Sequence, residues 1–349
     1  MTSAVGPEGL CWLVDRDEAG GVCGRLAPLP RPASAAGSVI VEVEAAGFNY
    51  KDALACSGHP GVARQLPHVP GIDAAGVLRQ PTESLPAGTP VVVTGNGLGE
   101  TCPGSFANWL LAPTDAVIRR PPTLSAVAAM ALGTAGLTAV VAVERLTSLI
   151  DWEHQQFRGG AGSPEWLVTG ASGGVGMLAV AAAAAAGHRV LACTRKAQVA
   201  EALQSLGAAT VLHPDEAVAA GTKPLASGRY TAVIDTVGGS LLANLLRSVR
   251  PGGAVASIGN AGGVELQTTV LPFILRGVTL AGIDAAGLLS NTRRRQLWPQ
   301  LATLWPLVEP HFPVRRLGLD EVGDWARQML AGETRGRAVV LPIRRVEAG

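Results

Sequence analysis

WLVTGASGGVGMLAVAAAAAAGHRVLAC, residues 166–193, is the stretch that decides the fold. Residues 166–168 are apolar, which is typical of a short buried strand, and residues 169–176 form a turn with few side-chain atoms. Residues 177–186 predict a helix with nearly smooth, alanine-rich faces, and residues 189–193 predict a second apolar strand. The order strand, glycine-rich turn, helix and strand indicates a βαβ unit of a parallel sheet.

The turn in this unit has the properties of a phosphate-binding loop. Unpaired backbone N–H groups in the first turn of a helix attract phosphate, and residues without side chains let it approach closely. Gly173, Gly174 and Gly176 supply that space, while Ala171 stands where the common G-x-G-x-x-G pattern has its first glycine. In this setting the pattern favours dinucleotide binding over a purely structural tight turn.

Three residues after the second strand, Thr194, Arg195 and Lys196, indicate which dinucleotide binds. An NAD site usually places an acidic residue here to accept a hydrogen bond from the ribose 2′-hydroxyl. This chain has two cations and a hydroxyl instead, and these groups suit a 2′-phosphate. We therefore expect NADPH; the alternative is that Arg195 and Lys196 are ordinary surface cations.

Length and charge limit the kinds of partner. A chain of 349 residues is long enough for two domains, and a net charge of +1 with 16% charged residues indicates no nucleic-acid partner. The longest apolar run that we identify, residues 178–186, is about half of a membrane span, so no membrane partner is expected, and no signal peptide is evident. Five cysteines without C-x-x-C spacing favour reduced thiols and a cytoplasmic location.

The pattern of the chain changes at about residue 125. Residues 10–111 contain short strand-like runs separated by Gly and Pro, which predict a small, mainly β domain. From residue 126 onward helical and strand-like segments alternate, which predicts an α/β domain with a doubly wound parallel sheet. Polar, glycine-rich residues 151–165 predict an exposed loop. The domains are placed at 1–125, completed by 290–349, and at 126–289.

Seven segments carry a recognisable pattern: 46–52 (AGFNYKD), 69–76 (VPGIDAAG), 133–136 (GTAG), 169–176 (TGASGGVG), 205–208 (SLGA), 234–239 (IDTVGG) and 272–278 (PFILRGV). Read together, they resemble the medium-chain dehydrogenase/reductases, and within them the zinc-free acrylyl-CoA reductase group, which is similar to quinone oxidoreductases. The NYKD and PFILRGV segments are the more specific to this group, whereas the glycine turn occurs across the superfamily.

This resemblance implies a GroES-like catalytic domain, a Rossmann domain, a cofactor cleft between them, and a homodimer. It also implies NADPH and reduction of the double bond of an acrylyl-type enoyl-CoA. By position, Tyr50 matches a residue that contacts the nicotinamide end. The other positions that match cofactor-binding residues are Ser172, Gly173, Gly174 and Val175 in the pyrophosphate turn, and Thr194, Arg195 and Lys196 in the 2′-phosphate loop.

Two loops depart from the family pattern. Members usually have Ser-Gly-Arg in the 2′-phosphate loop, so here Arg195 replaces a glycine and Lys196 replaces an arginine, and the positive charge is kept. The loop of residues 95–104, which we expect to face the substrate, lacks the His and Trp that members tend to carry near its end. A flat hydrophobic acceptor in place of the thioester therefore stays open.

The residues at the usual zinc-ligand places, 49–52 and 71–73, include no Cys or His, so alcohol oxidation through zinc is not expected. A conjugated C=C bond needs a hydride at its β-carbon, a hydrogen-bond donor for the enolate oxygen and a proton for its α-carbon. We expect the catalytic Tyr50, on a loop after a strand, to position the nicotinamide or to donate a hydrogen bond to the developing enolate, with Asn49 beside it and Asp52 holding the local geometry. The alternative is that Asn49 and Asp52 form a turn and Tyr50 only packs.

Three functions stay open on the sequence. The first is NADPH-dependent reduction of an enoyl-CoA, and the second is reduction of a quinone or enone by the same architecture. The third is a non-catalytic role as an NADPH-binding accessory or sensor protein. The glycine turn supports cofactor binding in all three and does not separate them.

Overall fold

A computed structural model describes residues 8–33, 35–150, 164–218, 221 and 223–342. Most of the loop predicted at 151–165 lies outside these residues. The strands, numbered along the chain, are β1 (Glu8–Arg16), β2 (Val22–Pro30), β3 (Ser38–Phe48), β4 (Asp73–Leu78), β5 (Pro90–Thr94), β6 (Trp109–Pro113), β7 (Ile118–Arg119), β8 (Glu165–Val168), β9 (Arg189–Cys193), β10 (Ala208–Leu212), β11 (Tyr230–Asp235), β12 (Val249–Ser257), β13 (Thr279–Gly282), β14 (Val314–Leu317) and β15 (Arg337–Val340).

Helices fill most of the intervals between strands in the second half of the chain, and two helices precede them. Numbered along the whole chain, the helices are α1 (Tyr50–Cys56), α2 (Ala126–Leu149), α3 (Gly174–Ala185), α4 (Ala200–Ser205), α5 (Pro214–Ala217), α6 (Gly239–Leu246), α7 (Leu271–Arg276), α8 (Asn291–Val308) and α9 (Val322–Leu330).

The chain divides into two compact units. The first comprises residues 1–134, 285–303 and 314–349, and the second comprises residues 135–284 and 304–313. Residues 304–313 thus group with the second unit, although the sequence assigned them to the first domain. The end of α8 belongs to this segment, and its Trp305 lies edge-on to Phe312 of the same segment, with 6.5 Å between the ring centroids.

The first unit is built on a seven-stranded sheet in the order β14-β15-β3-β4-β5-β7, with β6 also pairing with β3. All of these pairs are antiparallel except β14 with β15. β3 lies at the centre of this sheet, where it pairs with β15, β4 and β6. Its valines and Phe48 are buried in the core of the unit. The predicted mainly β domain is confirmed.

The second unit contains a six-stranded parallel sheet in the order β10-β9-β8-β11-β12-β13. The chain enters at β8 in the middle, runs outward through β9 to β10, and then returns to β11 on the other side of β8. This is the predicted doubly wound sheet, and its order reverses between β8 and β11. Ligands of such sheets bind at the carboxyl ends of the strands beside the reversal.

α2 corrects the expectation that the longest apolar run is residues 178–186. It has 24 residues, and its length and composition alone would suit a membrane span. However, 78% of its most apolar window is buried inside the protein, as is common for a core helix. Residues 126–132 and 136–146 predict two helices, and α2 does consist of two helices joined by a kink at Gly133, whose backbone is non-helical with φ 44° and ψ −147°.

α1 corrects the expectation that Tyr50 lies on a loop. Asn49 is extended, with φ −111° and ψ 163°, and forms the N-cap of a helix that begins at Tyr50. The Asp52 carboxylate accepts a hydrogen bond from the backbone N–H of Asn49 at 2.7 Å, as the third residue of a capped helix does. The polar residues that suggested a turn are therefore the capping residues of a helix.

Candidate active site

The glycine-rich turn joins β8 to α3 beside the reversal in strand order. Gly173 is the N-cap of α3, which begins at Gly174, three residues before the predicted start. The first backbone N–H groups of α3 therefore belong to the turn itself and have no partner within the helix. Ser172 is buried, and Gly173, Gly174 and Val175 are half-buried. These four residues, which are predicted to bind the pyrophosphate, form the end of the turn and the first residues of α3.

Gly176 is required by a close approach of the backbone. A Cβ atom at this position would lie 2.3 Å from the carbonyl oxygen of Gly170 and 2.7 Å from the Cα of Ala171. A Cβ atom on Gly173 would meet only the Gly170 oxygen, at 3.4 Å, which is an ordinary contact. The turn is thus packed against its own helix at Gly176 and open at Gly173. A pyrophosphate needs this combination of free N–H groups and space, so the turn fits a dinucleotide.

Side chains at the ends of β8 and β11 fix the turn to the sheet. The Thr169 hydroxyl donates to Asp235 Oδ1 at 2.6 Å, and the Thr236 hydroxyl donates to the Thr169 carbonyl at 2.8 Å. Asp235 Oδ2 accepts from the backbone N–H of Gly238 at 2.8 Å. Burial raises the pKa of Asp235, while these hydrogen bonds lower it. These residues lie in the recognisable segments 169–176 and 234–239, but the sequence alone did not indicate what their side chains do.

Thr194, Arg195 and Lys196 form the loop that follows β9, the neighbour of β8. Thr194 is buried and its hydroxyl oxygen accepts from the backbone N–H of Lys196 at 3.1 Å, which turns the loop and leaves the hydroxyl proton able to donate. Arg195 is exposed and Lys196 is half-buried. The loop therefore presents two cations and a hydroxyl at the carboxyl edge of the sheet, and its composition fits a 2′-phosphate.

Asn49 and Asp52 are buried at the start of α1 in the first unit. Asp52 is fully inaccessible, and its Oδ1 accepts from the backbone N–H of Ile72 at 2.9 Å while Oδ2 caps Asn49. Burial and, to a smaller extent, the Asp73 carboxylate raise the pKa of Asp52 to about 7, against the lowering effect of the hydrogen bonds from Asn49 and Ile72. This placement suits a residue that holds local geometry, since a fully buried carboxyl reaches no substrate.

Tyr50 differs from its neighbours because its side chain is only half-buried. The other tyrosine, Tyr230, is buried, and its hydroxyl donates to the carbonyl of Ala217 at 2.7 Å. Lys51, the next residue, pairs with Glu100 of the 95–104 loop at 3.0 Å. Of the three residues assigned to catalysis, Tyr50 is the one whose side chain is open to contact with another molecule.

Asn49 adjoins a buried cluster of charged residues, and the sequence did not reveal this cluster. Asp73 accepts from the backbone N–H and the hydroxyl of Thr134 at 2.8 and 2.5 Å, and from Asn49 Nδ2 at 2.9 Å. Arg337 donates to Asn49 Oδ1 at 2.9 Å and lies 3.9 Å from Asp73. Asp73 and Thr134 lie in the recognisable segments 69–76 and 133–136, so the sequence could have pointed to them. Arg337 lies in none of the seven segments, and no sequence pattern pointed to it.

The polar residues at the usual zinc-ligand places do not fit zinc. Asn49, Asp52 and Asp73 are engaged with backbone N–H groups, Thr134 and Arg337, and none is a Cys or His. Within the part of the chain that the structure describes, no group of three or more His, Cys, Asp or Glu side chains is arranged to hold a metal ion. We therefore derive no step through a metal.

Two family models match the chain. The alcohol dehydrogenase GroES-like domain matches residues 35–122, and the zinc-binding dehydrogenase model matches residues 174–303. The first corresponds to the mainly β unit, and the second includes α3 and most of the parallel sheet.

Proteins of related sequence and structure narrow the family. The chain is 37% identical to the acrylyl-CoA reductase AcuI of Ruegeria pomeroyi over 87% of this chain and 90% of AcuI. It is 35% identical to YhfP of Bacillus subtilis, a protein named as a candidate quinone oxidoreductase, over 86% of this chain and 89% of YhfP. A structure of YhfP with NAD bound has a TM-score of 0.84, covering 96% of this chain and 99% of YhfP at 31% identity. The YhdH oxidoreductase of Salmonella enterica in complex with NADP has a TM-score of 0.83, with 34% identity over 96% of this chain and 100% of YhdH.

Proposed function

The chain belongs to the quinone oxidoreductase-like medium-chain dehydrogenase/reductases, and from this premise we propose that it reduces an activated C=C bond with NADPH, most specifically that of an acrylyl-type enoyl-CoA. The observation that carries the proposal is the turn Thr169–Gly176 beside the reversal of strand order, together with a 2′-phosphate loop that contains cations and no acid. The 37% identity to an acrylyl-CoA reductase over 90% of that protein supports the substrate class.

NADPH is favoured over NADH by the residues after β9. One relative holds NADP and another holds NAD, so family membership alone does not choose. Arg195 and Lys196 supply charge-assisted donors that only a 2′-phosphate would use, and no carboxylate stands in residues 194–196 to accept from a 2′-hydroxyl. When bound, the cofactor supplies the hydride that the β-carbon of the substrate receives.

The residues of this chain have separate roles in the proposal. Tyr50 contacts the nicotinamide end, or its hydroxyl donates a hydrogen bond to the carbonyl oxygen where negative charge develops. Asn49 and Asp52 hold the first turn of α1, so they act through Tyr50 and are positioning residues. A Tyr50→Phe variant is expected to lose roughly 100- to 1,000-fold in kcat if the hydroxyl serves the developing charge, a range typical of one lost donor.

The test is consumption of NADPH by the purified protein, followed at 340 nm, with acrylyl-CoA, crotonyl-CoA, a simple quinone and a simple enone. We expect the largest kcat/KM with acrylyl-CoA and a propionyl-CoA product by mass spectrometry. Turnover of the quinone or enone with none of either thioester would overturn the enoyl-CoA assignment.

Quinone or enone reduction is the second candidate function. Two observations favour it: the identity to YhfP, and the 95–104 loop without the His and Trp of the reductase group. If tight NADPH binding persists while all four acceptors fail, the non-catalytic sensor role becomes the better description.

A further inference from the structure

Arg337 has the largest set of buried contacts around Asn49. It lies on β15 near the end of the chain and is 4% exposed. Its Nη1 donates to the Phe48 carbonyl at 2.8 Å and to Asn49 Oδ1 at 2.9 Å. Its Nε and Nη2 donate to the carbonyls of Ala131 and Met130, at 3.1 and 3.2 Å. One guanidinium therefore joins β15 to the end of β3 and to the first half of α2.

Asp73 completes the hold on Asn49 from the other side. The amide of Asn49 is gripped at both atoms, with Oδ1 accepting from Arg337 and Nδ2 donating to Asp73. This arrangement fixes which way the amide points, because each partner can bind only one of its two ends. Asn49 is in turn the N-cap residue that precedes Tyr50.

The charges in this cluster make Arg337 the central member. Asp52 and Asp73 are both fully buried, and Arg337 is the cation that lies near both. Two unpaired carboxylates close together in a low-dielectric interior would repel each other and lose their hydration. Removing the guanidinium should therefore disturb Asn49 and the start of α1 before it disturbs distant parts of the unit.

We propose that Arg337 is a positioning residue, which sets the place of Tyr50 through the Asn49 amide without touching substrate or cofactor. The inference rests on the proposed function for its catalytic consequence. Its structural part, that the environment of Tyr50 depends on Arg337, is independent of any activity.

Fluorine NMR tests the structural part. The chain has two tyrosines, Tyr50 and Tyr230, so uniform 3-fluorotyrosine labelling gives two resonances that Tyr50→Phe assigns. Arg337→Lys keeps the charge but loses the planar fork. We expect it to shift or broaden the Tyr50 resonance and to leave that of Tyr230 in place. The control is Arg316→Lys on the neighbouring strand β14, where the side chain is exposed, and it should move neither resonance.

A double-mutant cycle tests the catalytic part with the best acceptor found. Arg337→Lys should lower kcat at least about 10-fold in the natural background and less than about 2-fold in the Tyr50→Phe background, because its effect passes through Tyr50. The Kd for NADPH should change less than about 2-fold. Equal losses in both backgrounds, or a Tyr50 resonance that Arg337→Lys leaves unmoved, would refute the positioning role.

Two further outcomes are distinguishable. If Arg337→Lys does not fold, Asn49→Ala removes the same link while keeping the Arg337–Asp73 pair, and it must shift the Tyr50 resonance for the proposal to stand. If the Tyr50 resonance responds as expected but no acceptor is reduced, the proposed function fails while the positional link between Arg337 and Tyr50 survives.

Discussion

Arg195 and Lys196 carry the choice of cofactor at the level of single residues. Arg195→Ala and Lys196→Ala each remove one charge-assisted donor, which is worth about 1.5–3 kcal/mol. Each substitution should therefore raise the KM for NADPH roughly 10- to 100-fold and change the KM for NADH little. Steady-state kinetics with each cofactor measure this. Arg189→Ala, at the opposite end of β9, is the matched control and should leave both KM values unchanged. Equal effects on NADPH and NADH would mean that these cations do not read the 2′-phosphate.

Asp52 makes a pH-dependent contribution to stability. Its pKa is raised from an ordinary 3.8 to about 7 in the folded protein, chiefly by burial, so the folded state binds more protons than the unfolded state between these values. The contribution of this carboxyl to the free energy of unfolding is therefore fully present below about pH 4 and is lost as pH rises through 7.

Urea unfolding of the natural chain and of Asp52→Asn at pH 5 and pH 8 measures this contribution. The advantage of the natural chain over Asp52→Asn should be smaller at pH 8. The exposed Asp324→Asn serves as control and should give the same difference at both values. An advantage that is equal at the two pH values would show that Asp52 is already ionised in the folded protein at pH 5.

At the scale of the element, two glycines of the turn have different roles: Gly176 is needed for folding, and Gly173 is needed for cofactor binding. Gly176→Ala places a Cβ against the backbone of Gly170 and Ala171, so it should cost about 1–3 kcal/mol and lower Tm. Gly173→Ala meets one atom at ordinary distance, so its Tm should stay within a few degrees while NADPH binding weakens. Thermal unfolding and titration calorimetry distinguish the two. Equal stability losses would mean that the turn relaxes around either methyl group.

Elements with a strong local pattern were predictable from the sequence. β9 has the predicted bounds, and β8 begins one residue before the predicted strand at 166–168, because short apolar runs between Gly and Pro leave little choice of strand. α1 was missed, since N-Y-K-D has turn-forming residues and only the caps show that a helix begins there. The break in α2 was predictable, because Gly133 and Gly136 interrupt the run of helix-forming residues between 126–132 and 136–146.

The candidate site could be predicted only where it is local in sequence. The glycine turn and the 194–196 loop are continuous segments, so their residues were found together. The Arg337–Asn49 contact joins residues 288 positions apart, and no periodicity reveals such a pair. Asn49 and Asp52 were named with Tyr50 as the catalytic group, with Asp52 holding the local geometry, and the burial of both side chains fits a supporting role.

At the scale of the whole molecule, we predict a homodimer formed through the second unit. β13 is bordered by β12 on one side, and within the described residues no strand pairs with its other edge. Val264, Val270, Ile274 and Leu275, which precede it, are 57–76% exposed. An open edge beside exposed apolar side chains is a typical surface for a second copy.

Light scattering after size-exclusion chromatography should give about twice the 35.6-kDa mass of the chain. Ile274→Lys with Leu275→Glu should reduce it to one chain, whereas the same substitutions at Leu10 and Leu26 of the first unit should not. A monomeric natural protein would refute the dimer.

The expected cytoplasmic location stays a prediction.

The late position of Arg337 has a consequence for biosynthesis. While the chain is being made, Asp52 and Asp73 leave the ribosome long before the cation that accompanies them in the folded protein. β15, which pairs with β3, arrives equally late. The first unit is thus expected to mature only after β15 has been synthesised, while the contiguous strands β8–β13 can assemble earlier during elongation. A chain cut back to before Arg337 should therefore fail to complete the first unit, although strands β1–β7 are all present.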